Sequence, residues 1–320
     1  MTVMVEIDQL SKTFGSFRAV DGISLTVAKG EVLGFLGPNG AGKTTTMRMV
    51  AGFLTPSGGT ARVCGRDVVQ DPTGVKSMLG YLPEGSPSYD DMSVGGFLKF
   101  IAEIRGFDGA ECKARVENVV ARLGLGDVID RKIDILSKGY RRRVGLAQSI
   151  LHDPPVLILD EPTDGLDPNQ KHQVRSLIAE MAPEKAIIVS THILEEVEAV
   201  CTRAVIISGG RVLADGTAAQ LRTRLPESRA VCVVLPQSAS AAAAAQFKAL
   251  ASVAAVFETP AENGQARLRI TPKGDAFLAA EISALVRAQG LPATEIYQDR
   301  SSLDDVFRLI TTGAPPRAAA

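Results

Sequence analysis

Gly37-Pro38-Asn39-Gly40-Ala41-Gly42-Lys43-Thr44-Thr45 is the stretch that decides how this chain folds. A glycine, four residues and then Gly-Lys-Ser/Thr is the spacing of a loop that wraps phosphate. Its flanks agree. Val32-Leu33-Gly34-Phe35-Leu36 is a short apolar run that reads as a buried strand, and Thr45 to Ala51 reads as a helix ended by Gly52. Strand, glycine loop and helix in that order aim backbone N–H groups and the positive end of a helix dipole at one point. Glycines at 40 and 42 let the backbone curl there without a Cβ clash. On this reading Gly37, Asn39, Gly40, Gly42, Lys43, Thr44 and Thr45 hold a nucleotide. Lys43 reaches the β- and γ-phosphates, and the Thr44 hydroxyl holds Mg²⁺.

Working outward toward the N-terminus, residues 3–8 alternate as a strand, Ser11 to Gly15 reads as a turn, and Ile23 to Val27 alternates again. An antiparallel β layer therefore precedes the nucleotide core. Phe14 offers a face on which an adenine ring can stack; the plainer reading is an edge aromatic. Toward the C-terminus, Thr60 to Cys64 and Leu79 to Leu82 read as strands, the second closed by Pro83. Helical patterns at Val94 to Arg105, Ala110 to Leu123 and Arg141 to His152 form an inserted helical block, about 85–150. Val156-Leu157-Ile158-Leu159 and Ala186-Ile187-Ile188-Val189 are fully apolar, as central parallel strands are, with a helix from about Asn169 to Met181 between them. A helix at 193–200 and strands at 204–208 and 211–215 close a first domain, 1–224. Composition shifts near Pro226. Residues 225–312 read strand, helix, strand, strand, helix, strand, helix, a small α+β domain of the split βαβ kind, and 313–320 reads as a disordered tail.

The 320 residues suit two domains better than one. A net charge of −1 gives no reason to expect a nucleic-acid partner. The four cysteines are scattered without metal-ligand or disulfide spacing, which suits a reducing cytosol. The N-terminus lacks the pattern of a signal peptide, and no apolar run reaches membrane-spanning length, so a membrane role is expected to come through a partner.

In an open parallel sheet, ligands bind at the carboxyl ends of the strands. Besides the phosphate loop, two such ends carry polar groups. Asp160 follows an apolar strand, where it can hold Mg²⁺, and Glu161 can act as general base on an attacking water. His192 follows Ser190-Thr191, where an imidazole can bond a γ-phosphate or the water. Leu136-Ser137-Lys138-Gly139-Tyr140 precedes a helix expected to start near Arg141. Ser137 and the Gly139 N–H make a second anion site there, and this suggests a nucleotide shared between two chains. The Arg141-Arg142-Arg143 run reads as a solvated face.

Taken in order, Gly37–Thr45, Leu136–Tyr140, Val156–Glu161, Gly165-Leu166-Asp167 and His192 resemble the motifs of an ATP-binding cassette (ABC) ATPase across residues 3 to about 224. The resemblance implies a P-loop NTPase parallel sheet with an antiparallel β subdomain and an inserted helical subdomain. It implies ATP and Mg²⁺ as cofactors, with Phe14 at the adenine and Glu84 at the Q-loop position, where it would reach the metal together with Thr44 and Asp160. Ser137 and Gly139 fall in the signature, Asp167 in the D-loop, and Lys43, Glu161 and His192 are the catalytic set. It further implies a head-to-tail dimer around two ATP molecules, with the signature of one chain capping the ATP of the other. A separate transmembrane permease would be driven from the cytoplasmic face of the membrane. Two motifs depart from the usual pattern: Lys138 and Tyr140 replace Gly and Gln of the signature, and Glu84 replaces Gln at the Q-loop. These variants, and Ser301 to Phe307 in the C-terminal extension, look like the exporter branch that includes gliding-motility ATPases. The expected function is thus an ATP-hydrolysing motor of an ABC exporter; the alternative is a soluble ABC ATPase acting on ribosomes or DNA.

Overall fold

The computed structural model describes residues 2–85, 89–223, 230–274, 276–298 and 307, and the chain divides into two compact units, Met1–Asp215 and Gly216–Ala320. The expected boundary at 224/225, the tail at 313–320 and, apart from Phe307, the helix expected at 302–311 lie outside the described residues.

The first unit opens with a long hairpin, β1 (Val3–Phe14) and β2 (Phe17–Ala28). Ser11 to Phe14, expected as a turn, continue the strand instead. The reversal falls at Gly15-Ser16, because Phe14 pairs with Phe17 in register across it. β3 (Val32–Leu36) leads through the glycine loop into α1 (Lys43–Val50). β4 (Gly58–Val63), β5 (Arg66–Asp67), α2 (Pro72–Ser77) and β6 (Leu79–Leu82) follow. The helical block is α3 (Val94–Ile104), α4 (Gly109–Arg122) and α5 (Lys138–Ile150). α5 starts three residues before the expected Arg141, since the Ser137 hydroxyl caps it by accepting the Tyr140 N–H at 3.3 Å. Then come β7 (Val156–Asp160), α6 (Pro168–Met181), β8 (Ala186–Thr191), α7 (Leu194–Val200), β9 (Arg203–Ser208) and β10 (Arg211–Gly216).

These strands make two sheets, β2-β1-β4-β5 and β10-β9-β3-β8-β7-β6. In the second sheet β3 runs parallel to β8 and β9, and β7 parallel to β6 and β8. Strand alternation sends successive side chains to opposite faces. Leu157, Leu159 and Ile187 pack with the helical block, with Phe97, Leu98 and Leu125. Val156, Ile158 and Ile188 pack instead with α1 and the antiparallel sheet, with Met47, Val50 and Val20. Burial on both faces is why β7 and β8 read as unbroken apolar runs. The parallel register also aligns Leu36 with Thr191 and Asp160 with Ser190. The phosphate loop, the acid pair and His192 thus leave the sheet side by side.

In the second unit α8 (Ala218–Thr223) precedes β11 (Val231–Pro236), α9 (Gln237–Lys248), β12 (Val253–Pro260), β13 (Gln265–Pro272), α10 (Leu278–Ala288) and β14 (Glu295–Gln298). The sheet order is β12-β13-β11-β14, with antiparallel neighbours. β13 sits between β11 and β12, the split βαβ arrangement expected from the element order. Phe247 and Ile282 from the helices meet Val233, Leu268 and Ile270 of the sheet, all fully buried.

Candidate nucleotide site

The phosphate loop is shaped by what presses on it. Gly42 has φ 101°, and a Cβ there would lie 2.5 Å from the Ala19 carbonyl oxygen. At Gly37 a Cβ would lie 2.5 Å from the Ile207 carbonyl oxygen. Only glycine lets the loop run this close to β2 and β9. Thr46 Oγ1 donates to the Gly42 carbonyl at 2.8 Å, tying the first turn of α1 to the loop. Lys43 is buried, and its Nζ donates to the carbonyls of Gly37 (2.7 Å) and Pro38 (3.2 Å). Burial lowers the Lys43 pKa, opposed by the negative charges of Glu161, Asp160 and Glu84. The loop walls a cleft of about 410 Å³, lined by Asn39 to Thr45 with Phe17, Ala19, Glu84, Asp160 and Glu161.

Asp160 closes β7 and is almost fully buried. Its Oδ1 accepts the Ser190 hydroxyl; its Oδ2 is buried without a hydrogen-bond partner among the described residues. An unsatisfied buried carboxylate oxygen is costly and is suited to a cation. No three His, Cys, Asp or Glu converge on a metal cage among the described residues. The fit is therefore to a hard cation that takes its remaining ligands from phosphate and water, as Mg²⁺ does. Thr44, Asp160 and Glu84 all border the cleft where that cation would sit.

Glu161 stands at φ 52°, a left-handed conformation that costs a non-glycine residue roughly 1–3 kcal/mol. Its surroundings hold it there. The Glu161 N–H donates to Ser190 O at 3.0 Å, and its carbonyl accepts from Asp164 N at 3.1 Å and from the Arg142 guanidinium at 2.5 Å. The turn aims the carboxylate at the cleft and at His192, whose Nδ1 lies 3.0 Å from Glu161 Oε1. Burial raises the Glu161 pKa, with the His192 hydrogen bond working against it. A half-desolvated carboxylate is a stronger proton acceptor than a solvated one.

The other expected residues are placed differently. Ser137 caps α5 and Asp167 caps α6, accepting the Gln170 N–H at 2.9 Å. Lys138 forms an ion pair with Asp164 at 2.8 Å. Ser137, Gly139 and Asp167 do not line the cleft beside the phosphate loop. The aromatic that lines it is Phe17; Phe14, expected there, is its cross-strand neighbour, and both are exposed. The sequence reading missed Ser190, a small polar residue in an apolar strand, and misread the arginine run. Arg142 and Arg143 are 5% and 7% exposed, so they form no solvated face. Arg142 donates to the carbonyls of Pro83 (2.8 Å), Asp160 and Glu161, and burial lowers its pKa. Arg143 donates to the carbonyls of Leu123 (3.0 Å) and Gly124 (3.2 Å) just past α4.

Comparison with known proteins agrees with this geometry. The family profile described as ABC transporter matches residues 20–164. The chain is 41% identical over 201 residues to the ABC transporter ATP-binding protein NatA of Bacillus subtilis, covering 62% of this chain and 82% of that protein. It is 32% identical over 314 residues to the daunorubicin resistance ATP-binding protein DrrA3 of Streptomyces coeruleorubidus, covering 96% of this chain and 95% of that one. With the Nod factor export ATP-binding protein I of Paraburkholderia xenovorans it shares 38% identity over 221 residues, 68% of this chain and 72% of the relative. A solved ATP-binding subunit of an ABC transporter superposes with a TM-score of 0.65 at 29% identity, over 69% of this chain and 92% of that one. A dimeric ATP-binding cassette solved in a post-hydrolysis state with ADP and Pi shares the fold, with a TM-score of 0.63 at 19% identity over 67% of this chain and 98% of that one. A glycine loop on a buried lysine, an acid pair at the end of β7 and relatives that match most of their own length lead to one placement: the chain belongs to the ATP-binding cassette family of transporter ATPases.

Proposed function

We propose that this protein is the motor of an exporter: two copies close head to tail around two ATP molecules and drive a separate transmembrane permease. The observation that carries this is the divided site. One chain brings the phosphate loop, Asp160 and Glu161 to a single cleft, with His192 3.0 Å from Glu161, while its Ser137 and Gly139 lie at a helix start outside that cleft's lining. Ser137 and Gly139 are then free to meet the γ-phosphate held by the opposite chain, with Asp167 beside them. Lys43 holds the β- and γ-phosphates. Thr44, Asp160 and Glu84 would hold Mg²⁺, which when bound neutralises phosphate charge as the bond breaks. Glu161 takes the proton of the attacking water, and His192 keeps the carboxylate aimed. Phe17, with Phe14 beside it, offers the aromatic surface for adenine. Export is supported by the relatives named for Nod factor export and daunorubicin resistance. No helix among the described residues is long and apolar enough to cross a membrane, which fits a peripheral subunit at the cytoplasmic face. The four-stranded sheet of the second unit with its two helices is read as an accessory domain.

The test is a pair of variants. Lys43→Ala should lose ATP binding and turnover together. Glu161→Gln should bind ATP, accumulate as a dimer by size-exclusion chromatography, and hydrolyse it about 10²–10⁴-fold more slowly. Hydrolysis by Glu161→Gln at the unaltered rate would remove Glu161 from the chemistry.

A further inference from the structure

Behind the Glu161–His192 contact lies a second carboxylate that the reaction does not touch. Glu196, in the first turn of α7, is 4% exposed. Both of its oxygens are engaged. Oε1 accepts the Thr163 hydroxyl, and Oε2 accepts the Thr191 hydroxyl at 3.0 Å. Thr163 and Thr191 are themselves buried. Thr191 Oγ1 in turn accepts the Ile193 N–H at 3.0 Å, spanning His192. Two cations from α6 stand near the same carboxylate, Lys171 Nζ at 3.8 Å and Arg175 at 3.9 Å from Oε1.

The places these partners occupy matter. Thr163 is two residues after Glu161, in the turn that closes when Asp164 N donates to Glu161 O. Thr191 is the residue before His192 and the last of β8. α6 begins at the Asp167 cap. One carboxylate therefore ties the turn after Glu161 to the strand end before His192, and the two cations of α6 stand beside it. Only one contact described between the two reacting side chains, the 3.0 Å bond from His192 Nδ1 to Glu161 Oε1, has to be kept in register by this pinning. His192 is 58% exposed and has little packing of its own to hold it. Burying a carboxylate is costly, and an apolar residue would fill the same volume at lower cost. Its presence is explained if what it supplies is alignment.

We propose that Glu196 is a positioning residue for ATP hydrolysis: its buried carboxylate ties the turn after Glu161 to the strand end before His192 and so sets the geometry of their contact. The proposal rests on the reading of Glu161 and His192 given above. It separates from a purely structural role by where its loss is felt. Misplacing a general base by an ångström costs turnover on the order of 10²-fold while leaving the phosphate loop intact.

The experiment measures ATP affinity, kcat and thermal midpoint in Glu196→Leu, Glu196→Gln, Thr191→Val, Glu161→Gln and the double variant Glu161→Gln/Glu196→Leu. Glu196→Leu should bind ATP within about threefold of the parent and lose about 10- to 100-fold in kcat. Glu196→Gln, which keeps one acceptor and the shape, should recover part of that loss. The double variant should turn over no more slowly than Glu161→Gln alone, because a positioning residue has nothing left to act on once the base is gone. If Glu196→Leu does not fold, Thr191→Val carries the same test with one bond removed. An unchanged kcat in a folded Glu196→Leu or Thr191→Val overturns the proposal, as do losses that multiply in the double variant. Full activity in Glu161→Gln would instead overturn the reading of the site, so the two failures are told apart.

Discussion

His152, two residues beyond α5, has a half-buried ring whose Nε2 lies 3.1 Å from the Leu79 carbonyl. Burial first, and then the Arg105 charge, lowers its pKa from 6.5 to about 4. The folded value lies below the unfolded one, so as pH falls the unfolded chain takes up the proton first. The stabilisation is complete above about pH 6.5 and is lost as pH falls toward 4, by about 2–3 kcal/mol once partial solvent screening is discounted. Glu161 works in the opposite sense: burial raises its carboxyl, which favours folding at low pH and is lost as pH rises. The difference between parent and His152→Gln isolates the histidine. Denaturant unfolding at pH 7 and pH 4.5 should show a smaller acid loss in the variant, and an equal loss would refute the assignment. At this scale the sequence was legible where spacing fixes chemistry: Lys43, Thr44, Asp160 and Glu161 all border the cleft. It was less legible at the aromatic, because the turn at Gly15-Ser16 decides which of Phe14 and Phe17 lines the cleft, and neighbouring aromatics give no local sign of that.

Among the elements, α5 departs most from its sequence reading. Three consecutive arginines read as a wet face, yet Arg142 and Arg143 are spent on carbonyls that the ends of β6, β7 and α4 leave open. Orphan carbonyls at element ends need donors, and the planar guanidinium supplies several at once. Arg142→Ala should cost about 3 kcal/mol or more, since it strands the buried carbonyl of Asp160 and the half-buried carbonyls of Pro83 and Glu161. Arg142→Lys should recover only part, as an ammonium cannot span all three. Denaturant midpoints would check both, and a Lys variant as stable as the parent would show the bonds to be dispensable. The apolar strands were legible because burial on both faces leaves no polar position to confuse the period. The start of α5 was not, because the Ser137 cap hydroxyl precedes three polar or glycine residues instead of an apolar face.

For the molecule as a whole, the divided site makes a prediction about mixtures. Ser137→Arg chains and Lys43→Ala chains, each inactive alone, should regain part of their ATPase activity when combined, because a mixed dimer has one undamaged and one doubly damaged site. Mixtures that stay inactive would argue that each chain holds a complete site or that both sites must fire together. At this scale the order of elements in the second unit was readable as split βαβ, because helix and strand periods alternate cleanly there, and the sheet order β12-β13-β11-β14 follows it. The long hairpin was not, since its irregular register between Ile7 and Leu10 breaks the alternation on which a strand reading depends. The Arg142 anchorage has a mechanical consequence. A helix rises about 1.5 Å per residue, so Arg142 lies only about 7–8 Å along the axis from Ser137. α5 is then a stiff lever with a very short arm. A load applied at its Ser137 tip is delivered within a turn and a half to the Pro83, Asp160 and Glu161 backbone, before the rest of the helical block has to move.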